Sequence, residues 1–233
     1  EMKVQNISNL NKFFYECKNI IEIDLSNFNP VVNGMSEMFQ DCTSLISVNF
    51  GNFNASNVGD MQNMFKNCRN LKYINIHNFD TSQVHNMYSM FSGCNNLVYL
   101  NLSNFNLEKV TAINEMFQDC SSLKLLDISN FDKSSGINTN DIFSGTPKDM
   151  VIILKKDNQY LIEKLKSKCG DDWKINESEL DMITQDIIYI ACDGIKDNID
   201  LTIFQEYILY NNKEINLQTT FEANIEAIIN ELI

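Results

Sequence analysis

One phrase that returns along the chain constrains the fold more than any other feature. Aligned on a Met-Phe pair, phenylalanine recurs at Phe39, Phe65, Phe91 and Phe117, with Phe143 in a degraded last copy, at a step of 26 residues. Cys42, Cys68, Cys94 and Cys120 keep that step, and so do Leu45, Leu71, Leu97 and Leu123. An earlier copy, one residue shorter, carries Phe14, Cys17, Ile20 and Phe28 in the same roles. Units repeated at this period bury their apolar faces against their neighbours rather than around one common core.

Each copy contains two patterns. In Leu97-x-x-Leu100-x-Leu102 apolar and polar residues alternate at the end, the period of a short strand with one buried face. Val84, Met87, Met90, Phe91 and Cys94 fall at i, i+3, i+6, i+7 and i+10, which predicts an apolar stripe on a short helix. Ser56, Ser82 and Ser134 stand two residues before the start of that stripe, where a hydroxyl caps exposed N–H groups. The expectation is an α/β leucine-rich-repeat solenoid, with parallel strands about 4.8 Å apart on the concave face and short helices on the convex face. It occupies residues 1–174, with a capping segment over about 145–174, and a small acidic helical subdomain follows over 175–233.

Side chains repeated at this spacing form columns. Phe28, Phe53, Phe79, Phe105 and Phe131 make one aromatic column, the Met-Phe pairs a second and the cysteines a third, all read as core. Asn27, Asn52, Asn78, Asn104 and Asn130 each precede the first column and are expected to hydrogen-bond to backbone groups at a corner of the coil.

These residues resemble the BspA-like leucine-rich repeats, in which Met-Phe-x-x-Cys-x-x-Leu-x-x-Leu-x-Leu-Ser-Asn-Phe recurs in large surface proteins of bacteria and some protists. The likeness covers roughly Phe13 to Trp173. Thr146 replaces the repeat cysteine near the end, and Val151 to Leu154 with Tyr160 and Trp173 resembles the closing segment of such arrays. The resemblance implies a solenoid with an extracellular or surface role in adhesion or protein binding. It carries no ligand and no catalytic residues.

Outward residues of the strands would then form the binding face. Its columns run Glu22, Ser47, Tyr73, Tyr99, Leu125; Asp24, Asn49, Asn75, Asn101, Asp127; and Ser26, Gly51, His77, Ser103, Ser129. Tyr73, Tyr99 and Leu125 are candidate apolar anchors, with Asn49, Asn75, Asn101 and His77 as polar contacts. The structural reading, in which that column packs beside its neighbours or against the tail, stands beside it.

Charge separates the tail from the array. Up to Gly170 there are 17 acidic and 15 basic residues, a net of −2; after it there are 14 and 3, a net of −11. A net charge of −13 disfavours nucleic acid and anionic membranes as partners. No apolar run reaches the roughly 20 residues of a membrane helix. A chain opening at Glu1, near the start of a repeat, is expected to be processed or part of a longer protein. In the tail, Leu180, Ile183, Ile187, Ile188 and Ala191, then Leu201, Phe204, Tyr207 and Ile208, then Phe221, Ile225, Ile228, Ile229 and Leu232 predict three helices. The link between the first two resembles an EF-hand loop whose ligand pattern fails, leaving Asp193, Asp197 and Asp200 as a minor calcium-responsive alternative.

Five of the 7 cysteines share one column, where side chains point alike, so free thiols are expected there; Cys169 and Cys192 lie outside it and could pair. Asn6, Asn54, Asn101 and Asn176 head Asn-x-Ser sequons. Two histidines, no phosphate-binding glycine loop and no Cys-x-x-Cys pair give no catalytic, metal or cofactor site. The expected function is therefore a non-catalytic binding module of a cell-surface or secreted protein, recognising a protein or glycan. The alternative is an intracellular scaffold or assembly subunit that meets other subunits through its C-terminal helices.

Overall fold

The computed structural model describes residues 7–28, 30–131, 136–148, 150–155, 158–163, 173–176 and 187–192. All of these belong to one compact unit, Glu1–Lys196. Within it the strands are short and their order follows the repeat. β1 (Glu22–Asp24) pairs in parallel with β2 (Ser47–Asn49), matching Ile23 with Val48. β3 (Tyr99–Asn101) pairs in parallel with β4 (Leu125–Asp127), and β4 with β5 (Val151–Lys155), matching Leu100, Leu126 and Ile152. Tyr99, Leu125 and Val151 lie at the repeat step, so β5 occupies the strand position of one further coil. On the opposite side of each coil a parallel bridge ladder runs through Gly34, Asp60, Asn86, Ala112 and Asn138.

Parallel stacking brings identical side chains together. The rings of Phe14, Phe39, Phe65, Phe91, Phe117 and Phe143 stack in sequence with centroids 5.2–6.2 Å apart and planes within 13°. Phe53, Phe79, Phe105 and Phe131 are buried at their corner, as the periodicity requires. Three of the five corner asparagines make the expected bonds: Asn104 Nδ2 donates to the carbonyl of Phe79 at 3.0 Å, Asn78 Nδ2 to that of Gly51 at 3.4 Å and Asn130 Nδ2 to that of Phe105 at 3.5 Å.

The Met-Phe segments are not helices. Glu37, Asn63, Ser89, Glu115 and Asp141 all have φ between 50° and 57°, and four residues later Asp41, Asn67, Gly93, Asp119 and Gly145 have φ between 58° and 74°. Two left-handed residues in each segment exclude an α-helix and produce a run of tight turns. Alternate amides then divide their bonds. Met61, Asn63, Phe65 and Asn67 donate to Asn86, Tyr88, Met90 and Ser92 of the next coil at 2.7–3.0 Å, while Met64, Lys66 and Cys68 donate three residues back within their own coil. A helix would turn all of these groups inward; the turns spend half of them joining coils. Nor does Ser82 cap a helix: its N–H donates to Asp80 at 2.9 Å, a side-chain-stabilised turn repeated by Ser56 on Asn54 and Glu108 on Asn106. Ser134 lies outside the described residues.

Beyond β5 the sheet changes sense. β7 (Ile187–Cys192) runs antiparallel to β5, and β6 (Trp173–Asn176) antiparallel to β7, so the order is β3-β4-β5-β7-β6. This corrects the first of the three expected tail helices where it can be checked. Ile187, Ile188 and Ala191 belong to a strand whose six residues, IIYIAC, form the continuous apolar run of a strand paired on both edges. The other helical positions, the loop with Asp193, Asp197 and Asp200, and Cys169 lie outside the described residues.

Candidate functional site

The columns predicted for the concave face change character along the sheet. Tyr73 is 39% exposed, Tyr99 8% and Leu125 0%. The two tyrosine rings stack, with centroids 6.1 Å apart and planes 16° from parallel. Leu125 is therefore not a surface anchor, and Tyr99 contributes mainly as backing for Tyr73. The reason is visible in the residues. Leu125 and Val151 succeed Glu22 and Ser47 in one column and Ile153 succeeds Asp127 in the next, and from β4 onward this face is interior. The exposed part is confined to the N-terminal coils, where Glu22, Asp24, Asn49, Tyr73, Asn75 and His77 reach solvent.

The polar column has a structural task that does not consume its exposure. Asn49, Asn75 and Asn101 each accept the backbone N–H two residues on, from Gly51 at 3.1 Å, His77 at 3.3 Å and Ser103 at 2.8 Å. Asp24 and Asp127 do the same for Ser26 and Ser129. Asn49 Nδ2 also donates to Asp24 Oδ1 at 3.2 Å. The Ser26 backbone N–H, helped by the Ser26 hydroxyl and the Asn49 amide, holds the Asp24 carboxyl below its ordinary value. His77 Nδ1 is in close contact with Asn75 Oδ1, which fixes the ring against the turn.

A notch of about 70 Å³ lies beside these residues, lined by Asn49, Gly51, Asn75, His77 and Asn78 over a floor of buried apolar groups. A cavity that would enclose a drug-sized ligand is several times larger. The notch has room for one functional group, not for a whole molecule. Its position was not anticipated from the repeats, but Phe50 signals it, because Leu25, Ile76, Leu102 and Ile128 hold the same place in the other copies.

The cysteines are part of the core. Cys42, Cys68, Cys94 and Cys120 are free, buried thiols. Each sulfur donates to the carbonyl of the Met-Phe phenylalanine of the preceding coil, those of Phe14, Phe39, Phe65 and Phe91, at 3.0–3.2 Å. Burial pushes the Cys42 thiol up to about 11 and the Cys120 thiol to about 12. Such thiols are not nucleophiles at neutral pH.

A family model matches residues 1–73 and 33–155, so it spans the whole repeat array. The chain belongs to the family described as Mycoplasma protein of unknown function, DUF285. No curated protein and no solved structure matches it. Among the described residues no helix is long and apolar enough to cross a membrane, and no group of three His, Cys, Asp or Glu side chains could hold a metal ion.

Proposed function

We propose that this DUF285 chain is a BspA-like leucine-rich-repeat solenoid serving as a non-catalytic binding module of a cell-surface or secreted protein. It engages a protein or glycan through the open stretch of the concave face formed by Tyr73, Asn49, Asn75 and His77. One observation carries this reading: Tyr73 is 39% exposed while its ring rests on the buried Tyr99. A backed tyrosine offers amphipathic contact area and loses little rotamer freedom on binding. The surrounding carboxamides are held by turns, so they too are pre-organised.

The test uses fluorescently labelled full chain on cultured animal cells. Wild type should bind saturably, and the double variant Tyr73→Ala, His77→Ala should bind at least about tenfold more weakly, the loss of one interfacial hot spot. Both replaced side chains are exposed, so the melting temperature should move little. Undiminished binding by the double variant would sink the proposal.

A further inference from the structure

The strand ladder is broken at the third coil. Leu25 donates to Asn49 at 2.7 Å, Leu102 to Asp127 at 2.8 Å and Ile128 to Ile153 at 2.9 Å, one equivalent bond from each coil to the next. Among the described residues Phe50 and Ile76 make no such bond to Asn75 and Asn101. At the entrance to the strands the bonds from Lys72 to Ile46 and from Val98 to Lys72 stretch to 3.4 Å, against 2.7–2.9 Å for Ile46 to Ile21 and Lys124 to Val98. Residues 73–75 consequently form no strand, and β1-β2 is separated from the sheet that begins at β3.

Phe50 stands on one side of the break. It is buried where other copies hold an aliphatic side chain, its ring 4.9–6.3 Å from those of Phe39, Phe53, Phe65 and Phe79. An extra ring strains a packed column, and here the missing bond from Phe50 to Asn75 lies on the side where its ring meets Phe79, while the pairing with β1 on its other side stays intact. The notch between Asn49–Gly51 and Asn75–Asn78 lies on this side, with Asn78 Nδ2 still reaching the Gly51 carbonyl across it at 3.4 Å.

We propose that this notch receives the acetamido group of an N-acetylated sugar. The inference rests on the binding function proposed above and names its ligand class. Across the notch the Phe50 N–H and the Asn75 C=O lack the bond that joins the equivalent groups of other coils, and a secondary amide offers the complementary pair. The volume suits one such group. The lining contains no carboxylate, ammonium or guanidinium, which matches a neutral ligand. Tyr73 stands on the same face two residues before Asn75, as the alternation of buried Ile74 and Ile76 with exposed Tyr73, Asn75 and His77 shows, so a ring attached to the amide meets an aromatic surface. A peptide strand fits less well, because it needs a free sheet edge for a run of main-chain bonds and this gap is flanked by β2 and β3.

The experiment follows the amide resonances of the ¹⁵N-labelled full chain during titration with N,N′-diacetylchitobiose, with cellobiose and N-acetylalanine methylamide as comparators. Chitobiose should shift Gly51, Asn75, His77 and Asn78 at millimolar concentration, and cellobiose, which lacks the acetamido group, should not. Phe50→Leu restores the aliphatic residue of Leu25 and Leu102; it should slow exchange of the Phe50 amide and weaken the sugar at least tenfold. Tyr73→Ala, at an exposed position, should weaken it as well. No shifts with chitobiose, equal shifts with cellobiose, preference for the peptide amide, or unchanged binding in both variants would each overturn the assignment. Cell binding that depends on Tyr73 and His77 without any response to the sugar would remove this inference and leave the binding function standing.

Discussion

At the scale of residues, cysteine and asparagine show how a repeat assigns tasks that composition conceals. The cysteine column reads as core, and the S–H groups of Cys42, Cys68, Cys94 and Cys120 are each committed to a carbonyl in the coil before. Burial raises these thiols above an ordinary value near 8.5. The folded state therefore holds the proton more tightly than the unfolded chain. Its stabilising effect is complete below the unfolded value and is lost as the pH rises toward the folded values of about 11 and 12. Each pH unit in that window costs about 1.4 kcal/mol per buried thiol, so the melting temperature should fall steeply between pH 9 and 11. Cys94→Ala should flatten that fall while lowering stability at pH 7 by about 1–2 kcal/mol, measured by urea unfolding.

The turns are the element in which spacing misled. Positions three and four apart mark one face of a helix, yet a chain of tight turns has the same spacing, and Met61, Met64, Phe65 and Cys68 are buried either way. What separates the two is the sign of φ at Asn63 and Asn67, which those residue types tolerate without declaring it. Gly93 and Gly145 are the more legible hints. Each stands in the left-handed column, and a β-carbon on Gly93 would lie 2.5 Å from Asn67 Oδ1 of the preceding coil. Gly93→Ala should therefore destabilise the chain by about 1–2 kcal/mol. Adding Asn67→Gly should recover the part due to contact but not the part due to φ, and a double-mutant cycle in urea separates them. The strand at Ile187–Cys192 was misread for a related reason, since a short apolar run has no decisive period and its pairing with β5 is a long-range fact.

For the whole molecule, stability rests on contacts between successive coils, because the coils carry stacked rings and backbone bonds across every junction. Phe79 occupies the corner column with its ring 4.9 Å from that of Phe50 and 6.1 Å from that of Phe53. Phe79→Ala should cost about 3–5 kcal/mol, read as a lower urea midpoint. A near-silent result would mean that the column does not bear the core. The same wholeness limits the binding face. Exposure along one column falls from Tyr73 to Leu125 as the sheet gains β5, β7 and β6, so the open part of the face is confined to the coils before β3.

The repeat step, the parallel order of the strands and the membership of the inward columns follow from spacing alone, because side chains set at one interval can only be buried by stacking on their own copies. Simple alternation also located Tyr73, Asn49, Asn75 and His77 on one face. Tertiary structure decided the rest: whether a three-and-four spacing became helices or turns, which depends on where alternate amides find acceptors, and how far the face stayed open, which depends on what packs over Leu125. The break beside Phe50 belongs to both. Its residue is plain in the alignment of the copies, but only the stretched bonds of Lys72 and Val98 show that the ladder parts at the third coil.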